Sequence, residues 1–178
     1  MKPTIFARAR QGLLVLAASL GLVFGVSAAP AQAASIWYLG TVVISPQHTT
    51  NKCLEVADWS TANGAAVRQW TCTGGANQKW KRYSQDGDPG AFYYVNVNSG
   101  KCLEIADWRT DNGAPARQWD CHWGLSQVFH GDSGFTMDFW YAANKCLEIA
   151  DWRTDNGAPA RLWTCTQQPN QSFSIRAV

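Results

Sequence analysis

Residues 52–72 read KCLEVADWSTANGAAVRQWTC, and two further copies of this stretch follow at residues 101–121 and 145–165. The first and second copies share 15 of 21 residues, and the second and third share 19 of 21. Such self-similarity is the signature of a repeat architecture and outweighs local secondary-structure propensity. The sequence therefore predicts one structural unit that is built three times.

The segments that flank the copies also repeat. A Gln-x-aromatic triplet follows each copy, and a run rich in β-branched and aromatic residues, typical of a strand, precedes it. Asn-Gly pairs inside the copies indicate turns, and no window long enough for a helix shows apolar residues at intervals of three and four. We therefore predict an all-β fold. The predicted strands before the copies are 41–45, 92–97 and 135–141, and the triplets begin at Gln78, Gln127 and Gln171.

Three units of about forty residues could stack as an open solenoid, form propeller blades or close into a threefold barrel. Three blades are too few for a propeller, and a solenoid requires distinct capping copies. The sequence therefore favours closure.

The six cysteines fall two to a repeat, 19 residues apart in every copy. Six cysteines allow 15 connectivities, but the repetition favours pairing within each copy. A loop of this size, closed by a disulfide, gains roughly 3 kcal/mol by the chain-entropy argument. The predicted bridges are Cys53–Cys72, Cys102–Cys121 and Cys146–Cys165.

The cysteine spacing also predicts a site. If the bridge joins directly opposed positions of two antiparallel strands, Glu55 faces Trp70, and Arg68 shares their face. An indole offers a sugar ring an apolar platform, and a carboxylate accepts hydrogen bonds from neighbouring hydroxyls. The alternative is a core tryptophan beside a surface Glu–Arg ion pair, worth about 0–1 kcal/mol. The equivalent residues are Glu104, Arg117 and Trp119 in the second copy, and Glu148, Arg161 and Trp163 in the third.

A second tryptophan lies in the turn region of each copy, at Trp59, Trp108 and Trp152. It could widen the platform or cover the hydrophobic core. We expect it to pack against the core.

At these residues the chain resembles the ricin B-type lectin family. Cys-Leu-Glu at 53–55, Val-Arg-Gln-Trp at 67–70, Cys72 and Asn-Gln-Lys-Trp at 77–80 match the family motifs in order and spacing, over essentially the whole chain after residue 33. The resemblance implies a β-trefoil with one disulfide per repeat, in which the Gln-x-Trp residues are largely structural.

The resemblance also implies contacts with galactose-like or related sugars. They come from the acidic residue after the first cysteine, the aromatic residue before the second, and the following Asn-Gln. The family usually has Asp at the glutamate positions and often Gln at the arginine positions, and Ser126 replaces Asn in the second repeat, so the sugar and the number of working sites stay open. The predicted carbohydrate-binding residues are Glu55, Arg68, Trp70, Asn77, Gln78, Glu104, Arg117, Trp119, Gln127, Glu148, Arg161, Trp163, Asn170 and Gln171.

The chain begins with basic residues, an apolar run and small residues at 31–33, which are the parts of a secretory signal peptide. We predict a leader at 1–33, cleaved after Ala33, rather than a membrane anchor, because the run is shorter than a bilayer span. Without its three basic residues, 12 basic residues remain against 13 acidic ones, which gives no reason to expect nucleic acid as a partner. The domain is then residues 34–178, with repeats at about 37–83, 92–130 and 135–178, and we expect a secreted monomer without a membrane span.

Other functions fit less well. A glycosidase needs two carboxylates in different environments, and the repeated acids cannot supply that asymmetry. His122 is interpreted as a surface group, and no metal or other cofactor is expected. The main alternative to a lectin that binds galactose-type or plant or microbial polysaccharide sugars is a protease inhibitor that presents the irregular loop 83–91. The acids and histidines outside the copies, interpreted as solvated loop residues, are Asp86, Asp88, Asp132, Asp138, His48 and His130.

Overall fold

The computed structural model describes residues 35–85, 88–131 and 136–178. The predicted leader at 1–33 lies outside these ranges, as do Asp86 and Asp132. The described part is all-β, with six short 3-10 turns and no α-helix. The strands are β1 Ile36–Pro46, β2 Lys52–Val56, β3 Val67–Thr71, β4 Trp80–Gln85, β5 Asp88–Asn96, β6 Cys102–Ile105, β7 Ala116–Trp119, β8 Phe129–His130, β9 Lys145–Ile149, β10 Ala160–Thr164 and β11 Phe173–Ala177.

The first and last strands pair with each other and close the barrel. In β1, Val42 lies opposite Ala177 of β11 on one side and opposite Trp80 of β4 on the other. Strand β4 continues antiparallel to β5, which also pairs with β8. Because β1 of the first repeat pairs with β11 of the last, the chain forms neither an open stack nor separate blades.

Each copy of the repeated stretch forms a hairpin, as β2–β3, β6–β7 and β9–β10. Its Asn-Gly turn has the glycine in the left-handed region, with φ of +83° at Gly64, +90° at Gly113 and +87° at Gly157. Glycine adopts this conformation without steric cost. The repeated dipeptide thus places the three loops in the same geometry.

The asparagine of each loop contacts the next hairpin, which joins the three hairpins in a ring. The Oδ1 atom of Asn63 accepts a hydrogen bond from the Asp120 amide at 3.0 Å. Asn112 does the same for Thr164 at 2.9 Å, and Asn156 for Thr71 at 2.8 Å. The third loop therefore returns to the first hairpin, and the architecture is a β-trefoil, as predicted.

The core contains equivalent side chains from the three repeats. The aromatic residues of the Gln-x-aromatic triplets, Trp80, Phe129 and Phe173, are fully buried, and the Trp80 indole donates a hydrogen bond to the Leu54 carbonyl at 3.2 Å. Burial of a large apolar side chain stabilises the fold by about 1.5–3 kcal/mol. The inward residues of the hairpins complete this cluster, namely Leu54, Val56, Leu103, Ile105, Leu147 and Ile149.

The predicted pairing of the cysteines is confirmed. Cys53–Cys72, Cys102–Cys121 and Cys146–Cys165 are bonded, with Cα–Cα distances of 5.1, 5.0 and 5.1 Å. Two of the predicted strands, 41–45 and 92–97, lie in β1 and in β5, which ends at residue 96.

The predicted strand at 135–141 is wrong. Among its described residues, Thr136 and Asp138 form only isolated bridges, and a turn begins at Trp140. Met137 and Phe139 are buried between these residues, so the inward and outward alternation remains without a continuous ladder. Within the described ranges, no helix is long and apolar enough to cross a membrane.

Candidate functional site

The register of the hairpins differs from the predicted one by two residues. Glu55 lies opposite Arg68, and Cys53 lies opposite Trp70. Cys72 follows the end of β3, and its amide bonds to the Asn51 carbonyl at 3.1 Å. The bridge thus joins diagonal positions, so the predicted pairing of Glu with Trp was wrong in every repeat. Equivalent pairs are Glu104 with Arg117, Cys102 with Trp119, Glu148 with Arg161 and Cys146 with Trp163.

A shift of two residues keeps side chains on the same face of a strand. The acid, the guanidinium and the indole therefore still converge, together with residues after the second cysteine. We call the three groups sites 1, 2 and 3. Site 1 comprises Glu55, Asp58, Trp59, Arg68, Trp70, Thr73 and Asn77; site 2 Glu104, Asp107, Trp108, Arg117, Trp119, His122 and Ser126; and site 3 Glu148, Asp151, Trp152, Arg161, Trp163, Thr166 and Asn170.

Glu55 is the buried anchor of site 1, with 4% of its surface exposed. Its Oε1 atom accepts a hydrogen bond from Arg68 Nε at 3.1 Å. Its Oε2 atom accepts from Gln78 Nε2 at 3.1 Å and from Asn77 Nδ2 at 3.3 Å. A buried carboxylate is stable only when it is paired and hydrogen-bonded in this way. Both oxygens accept hydrogen bonds from protein groups, so Glu55 holds the pocket together while it also forms part of the lining.

Gln78 also lies behind the pocket rather than in it. Its Oε1 atom accepts a hydrogen bond from the Thr73 amide at 2.7 Å, and its Nε2 atom donates to the Thr71 carbonyl at 2.8 Å. Gln127 and Gln171 make equivalent bonds, and all three glutamines are buried. These residues therefore position the chain after the second cysteine.

Arg68 joins three members of site 1. Besides Glu55, its Nη2 atom donates to Asp58 Oδ1 at 2.9 Å, and its guanidinium carbon lies 4.5 Å from the centre of the Trp70 ring. A guanidinium stacked in this way makes a cation–π contact. One face of Trp70 is thus covered by Arg68, which makes this half-buried indole a poorer platform than its position in the sequence implied.

The more exposed indole of site 1 is Trp59, which is 53% exposed. It follows Asp58 in a 3-10 turn, Ala57–Trp59, where both residues have left-handed φ values of 54° and 56°. This conformation is unfavourable for residues other than glycine and points to a functional constraint. The expectation that this tryptophan packs against the core was wrong. Trp108 and Trp152 are 51% and 50% exposed in the same conformation.

The members of site 1 line a pocket of about 190 Å³. Asp58 stands at its mouth with 81% of its side chain exposed, so its second carboxylate oxygen faces solvent. Two larger clefts, of about 490 and 410 Å³, lie beside disulfides but are lined by no aromatic side chain of the described residues. An apolar platform beside polar groups is the usual composition of a selective pocket, and site 1 has both.

Site 3 repeats this geometry around a pocket of about 220 Å³. Arg161 donates to Glu148 at 2.9 Å and to Asp151 at 2.9 Å, and its guanidinium carbon lies 4.2 Å from the centre of the Trp163 ring. Asn170 donates to Glu148 at 3.4 Å. The agreement between the two sites shows that the repeated residues determine the arrangement.

Site 2 keeps the buried acid but differs from the other sites in two of its members. Arg117 donates to Glu104 at 2.9 Å, and its guanidinium carbon lies 4.3 Å from the centre of the Trp119 ring. His122 takes the place of Thr73, and Ser126 takes the place of Asn77. The imidazole Nε2 atom lies 3.3 Å from Glu104 Oε2. His122 is thus part of site 2 and not only a surface group.

A tyrosine outside the copies lies beside site 2. Tyr141 makes an edge contact with Trp108, with a distance of 5.8 Å between ring centres. Burial raises the pKa of the Tyr141 hydroxyl to about 12, with a smaller contribution from the negative charge of Glu104. The hydroxyl therefore stays protonated near neutral pH and donates to the Arg109 carbonyl at 3.2 Å.

The residues considered for other functions lie elsewhere. Asp88 and His130 are strand residues that pair at 3.0 Å, not isolated loop residues. His48 contacts the Arg153 carbonyl at 2.8 Å. The segment considered as an inhibitor loop belongs to strands β4 and β5 wherever it is described, with one register shift between Ser84 and Gln85. Among the described residues, no group of three His, Cys, Asp or Glu side chains could hold a metal ion.

The sequence interpretation missed Asp58 and Thr73 as pocket residues, and it favoured a core role over a platform role for Trp59. The signal was present, because an Ala-Asp-Trp triplet occurs at the same place in all three copies. What the pattern could not show is the left-handed turn that directs the tryptophan outward.

A three-repeat β-trefoil with a carboxylate, a guanidinium and two indoles at each repeat defines the class of this protein. The profile of the family described as ricin-type β-trefoil lectin domain-like matches residues 33–119 and 76–163. The chain belongs to this family.

Solved structures agree in fold. A designed threefold symmetric protein, ThreeFoil, aligns with a TM-score of 0.72 and 26% identity over 79% of this chain and all of the designed chain. The Rhizoctonia solani agglutinin gives 0.68 and 19% over 85% of this chain and all of that one. The C-half of an earthworm R-type lectin, solved with GalNAc, gives 0.61 and 16% over 79% of this chain and all of that one. The agglutinin and the earthworm lectin are so low in sequence identity that their similarity to this chain concerns the fold alone.

One curated protein matches over a short segment. Serine protease 1 of Rarobacter faecitabidus is 53% identical over 32 residues, which is 18% of this chain and 6% of the protease. The chain therefore spans only a small part of that relative.

Proposed function

We propose that this protein is an exported carbohydrate-binding module that contacts neutral sugars through sites 1 and 3. The observation that carries the proposal is the exposed indole of Trp59 beside the solvent-facing carboxylate of Asp58, at the mouth of a pocket whose buried acid is held by three protein donors. The same pair recurs as Trp152 and Asp151.

The two groups supply complementary parts of sugar recognition. The apolar face of a sugar ring stacks on an indole, which removes apolar surface of both partners from water. The second carboxylate oxygen of Asp58 accepts hydrogen bonds from ring hydroxyls, and its first is held by Arg68 at 2.9 Å. Because that ion pair fixes the carboxylate, little side-chain entropy is lost when a sugar binds.

A polar group deeper in site 1 also favours a hydroxylated ligand. Asn77 directs its Nδ2 group to Glu55, and its Oδ1 atom is buried without a hydrogen-bond donor among the described residues. The same holds for Asn170. A buried acceptor without a donor costs about 1–3 kcal/mol, and a hydroxyl that reached it would offset this cost.

The charge of the site favours neutral over acidic sugars. Site 1 contains the carboxylates of Glu55 and Asp58 and the guanidinium of Arg68, and site 3 has the equivalent set. The remaining negative charge at Asp58 would repel a uronate carboxylate. Galactose-type sugars are our first candidates, because the related earthworm lectin was solved with GalNAc.

The proposed location of the protein is outside the cell. All six cysteines are bridged, and disulfides persist mainly in oxidising compartments. Shallow single sites bind sugars weakly, with millimolar affinity equivalent to about −4 kcal/mol. Two sites on one molecule raise the retention on a polysaccharide through effective concentration.

Affinity chromatography on galactosyl-agarose and on immobilised xylan tests the proposal. The wild-type protein should be retarded on at least one matrix and released by the free sugar. Trp59→Ala combined with Trp152→Ala should pass through both columns, because each change removes a platform. Trp70→Ala combined with Trp163→Ala should weaken retention less, since those indoles are stacked on arginines.

The matched control is Trp140→Ala, which removes an indole that is 71% exposed but lies outside the three sites. This variant should be retained like the wild type. Equal retention of the Trp59 and Trp152 double variant and the wild type would contradict the proposal.

A further inference from the structure

Repeat 2 differs from the other two at two positions that face the same pocket. The residue after the second cysteine is His122, where the other repeats have Thr73 and Thr166. Four residues later, Ser126 stands where the others have asparagine. The remaining members of the site, Glu104, Asp107, Trp108, Arg117 and Trp119, match their equivalents in sites 1 and 3.

The two changes compensate each other within the buried network. In site 1, Glu55 Oε2 accepts a hydrogen bond from Asn77 at 3.3 Å, and in site 3, Glu148 Oε2 accepts one from Asn170 at 3.4 Å. The shorter Ser126 does not replace this donor, and its buried hydroxyl has no partner among the described residues.

His122 supplies the missing donor from the other side of the pocket. The Gly124 amide donates to His122 Nδ1 at 3.1 Å, so Nδ1 acts as the acceptor. In the neutral ring the proton then resides on Nε2, which lies 3.3 Å from Glu104 Oε2. The tautomer is therefore the one that donates to the buried acid.

The imidazole also contacts Trp108, the exposed indole of the site. It lies nearly parallel to the Trp108 ring, with an interplanar angle of 21° and 6.2 Å between ring centres. A ring that bonds to Glu104 at the base and stacks with Trp108 at the mouth extends across the space that Thr73 and Asn77 leave open in site 1.

We infer that His122 and Ser126 together close site 2 to the sugar that sites 1 and 3 bind. This inference rests on the proposed function and adds that the protein has two equivalent sugar sites rather than three. His122 is then the residue that determines which repeats bind.

Site-resolved NMR titration with methyl β-D-galactoside and methyl α-N-acetyl-D-galactosaminide tests the inference. Protein with ¹⁵N-labelled tryptophan reports each site through its own indole N–H resonance. In the wild type, the resonances of Trp59 and Trp152 should shift on titration, and that of Trp108 should not.

Two reciprocal variants exchange the two residues that differ between site 2 and site 1. His122→Thr combined with Ser126→Asn should make the Trp108 resonance titrate, with a Kd within about threefold of that at Trp59. Thr73→His combined with Asn77→Ser should abolish the shift at Trp59. In both variants Trp152 serves as an internal control for folding, because site 3 is unchanged and should titrate as in the wild type.

The outcomes separate the two proposals. A wild-type Trp108 resonance that shifts with the same Kd as Trp59 and Trp152 overturns the closed site and leaves the sugar-binding function intact. An opened variant whose Trp108 stays silent while Trp152 titrates also overturns it. No shift at any indole with either glycoside overturns the galactoside specificity and this inference with it, whereas passage of the wild-type protein through both columns overturns the proposed function.

Discussion

Sites 1 and 2 share a buried glutamate with the same arginine contact, but they differ in two of the other side chains that line the site. In both, a glutamate receives an arginine on one oxygen and two further donors on the other. The second of those donors is Asn77 in site 1 and His122 in site 2. The comparison teaches that the hydrogen bonding of the buried acid is kept in every repeat, whereas the side chain that supplies its last donor differs between the sites.

The largest effect is expected from removal of the buried acid. Glu55→Ala removes the acceptor that Arg68, Gln78 and Asn77 share, and the loss of one partner from a buried ion pair lowers stability by about 3–5 kcal/mol. Glu104→Ala should lower stability by a similar amount, because the base of site 2 has the same role. Urea unfolding followed by tryptophan fluorescence measures both.

Asp58→Ala is the control for this pair, since it removes an exposed partner of the same arginine and should change stability by less than about 1 kcal/mol. If Glu55→Ala and Asp58→Ala have equal effects, the acid is not the structural anchor that its burial indicates.

An intermediate effect is expected from the charge of the ligand. We expect D-galacturonate to bind about tenfold more weakly than D-galactose at low ionic strength, which corresponds to about 1.4 kcal/mol, because its carboxylate meets Asp58 and Asp151. The difference should shrink as salt is added. Titrations followed by indole chemical shifts at two salt concentrations measure it.

Asp58→Asn combined with Asp151→Asn keeps the shape of both sites and removes the exposed charges. This variant should bring the affinities of the two sugars together. If the preference for the neutral sugar persists in full, charge at the mouth of the site is not its cause.

The smallest effect concerns a pair outside the three sites, formed by Asp88 and His130. His130 lies 3.0 Å from Asp88, and this hydrogen bond lowers the pKa of the Asp88 carboxyl below its ordinary value of 3.8. A carboxyl whose pKa is lowered by folding stabilises the protein above its unfolded pKa, and this contribution is lost as the pH falls through the folded value. The loss should therefore occur below about pH 4.

Thermal unfolding between pH 2 and 7 measures this effect by comparing Asp88→Asn with the wild type. The stability difference should be under about 1 kcal/mol, since both side chains are partly exposed, and it should disappear at the acid end. A difference that is constant across this range would show that the ionised carboxyl does not stabilise the fold.

The fold could be predicted because its determinants are repeated in the sequence. Three copies with two cysteines each leave few closed arrangements, and the disulfides and the hairpins follow from them. The segment at 135–141 shows the limit, since its alternating buried residues resemble a strand although its pairing is confined to isolated bridges. Strand pairing depends on neighbouring chains, which a local pattern does not contain.

The residues that belong to the site could be predicted better than the way in which they are arranged. A disulfide is compatible with opposed or diagonal positions, so the spacing of the cysteines could not distinguish a pairing of Glu55 with Trp70 from one with Arg68. The outward direction of Trp59 depends on two consecutive left-handed residues, a conformation that no propensity favours. The role of His122 depends on a contact with Glu104, eighteen residues away in sequence.

The ring of loop contacts has a consequence for how such a molecule can be assembled. Each repeat offers one asparagine to its neighbour and accepts one from the other neighbour, at the backbone amides of Thr71, Asp120 and Thr164. A peptide made of a single repeat therefore carries both halves of the junction, and trimerisation of such peptides would test whether the junction alone holds the repeats together. In the polypeptide, a substitution at one of these asparagines therefore affects the loop of one repeat and the hairpin of the next.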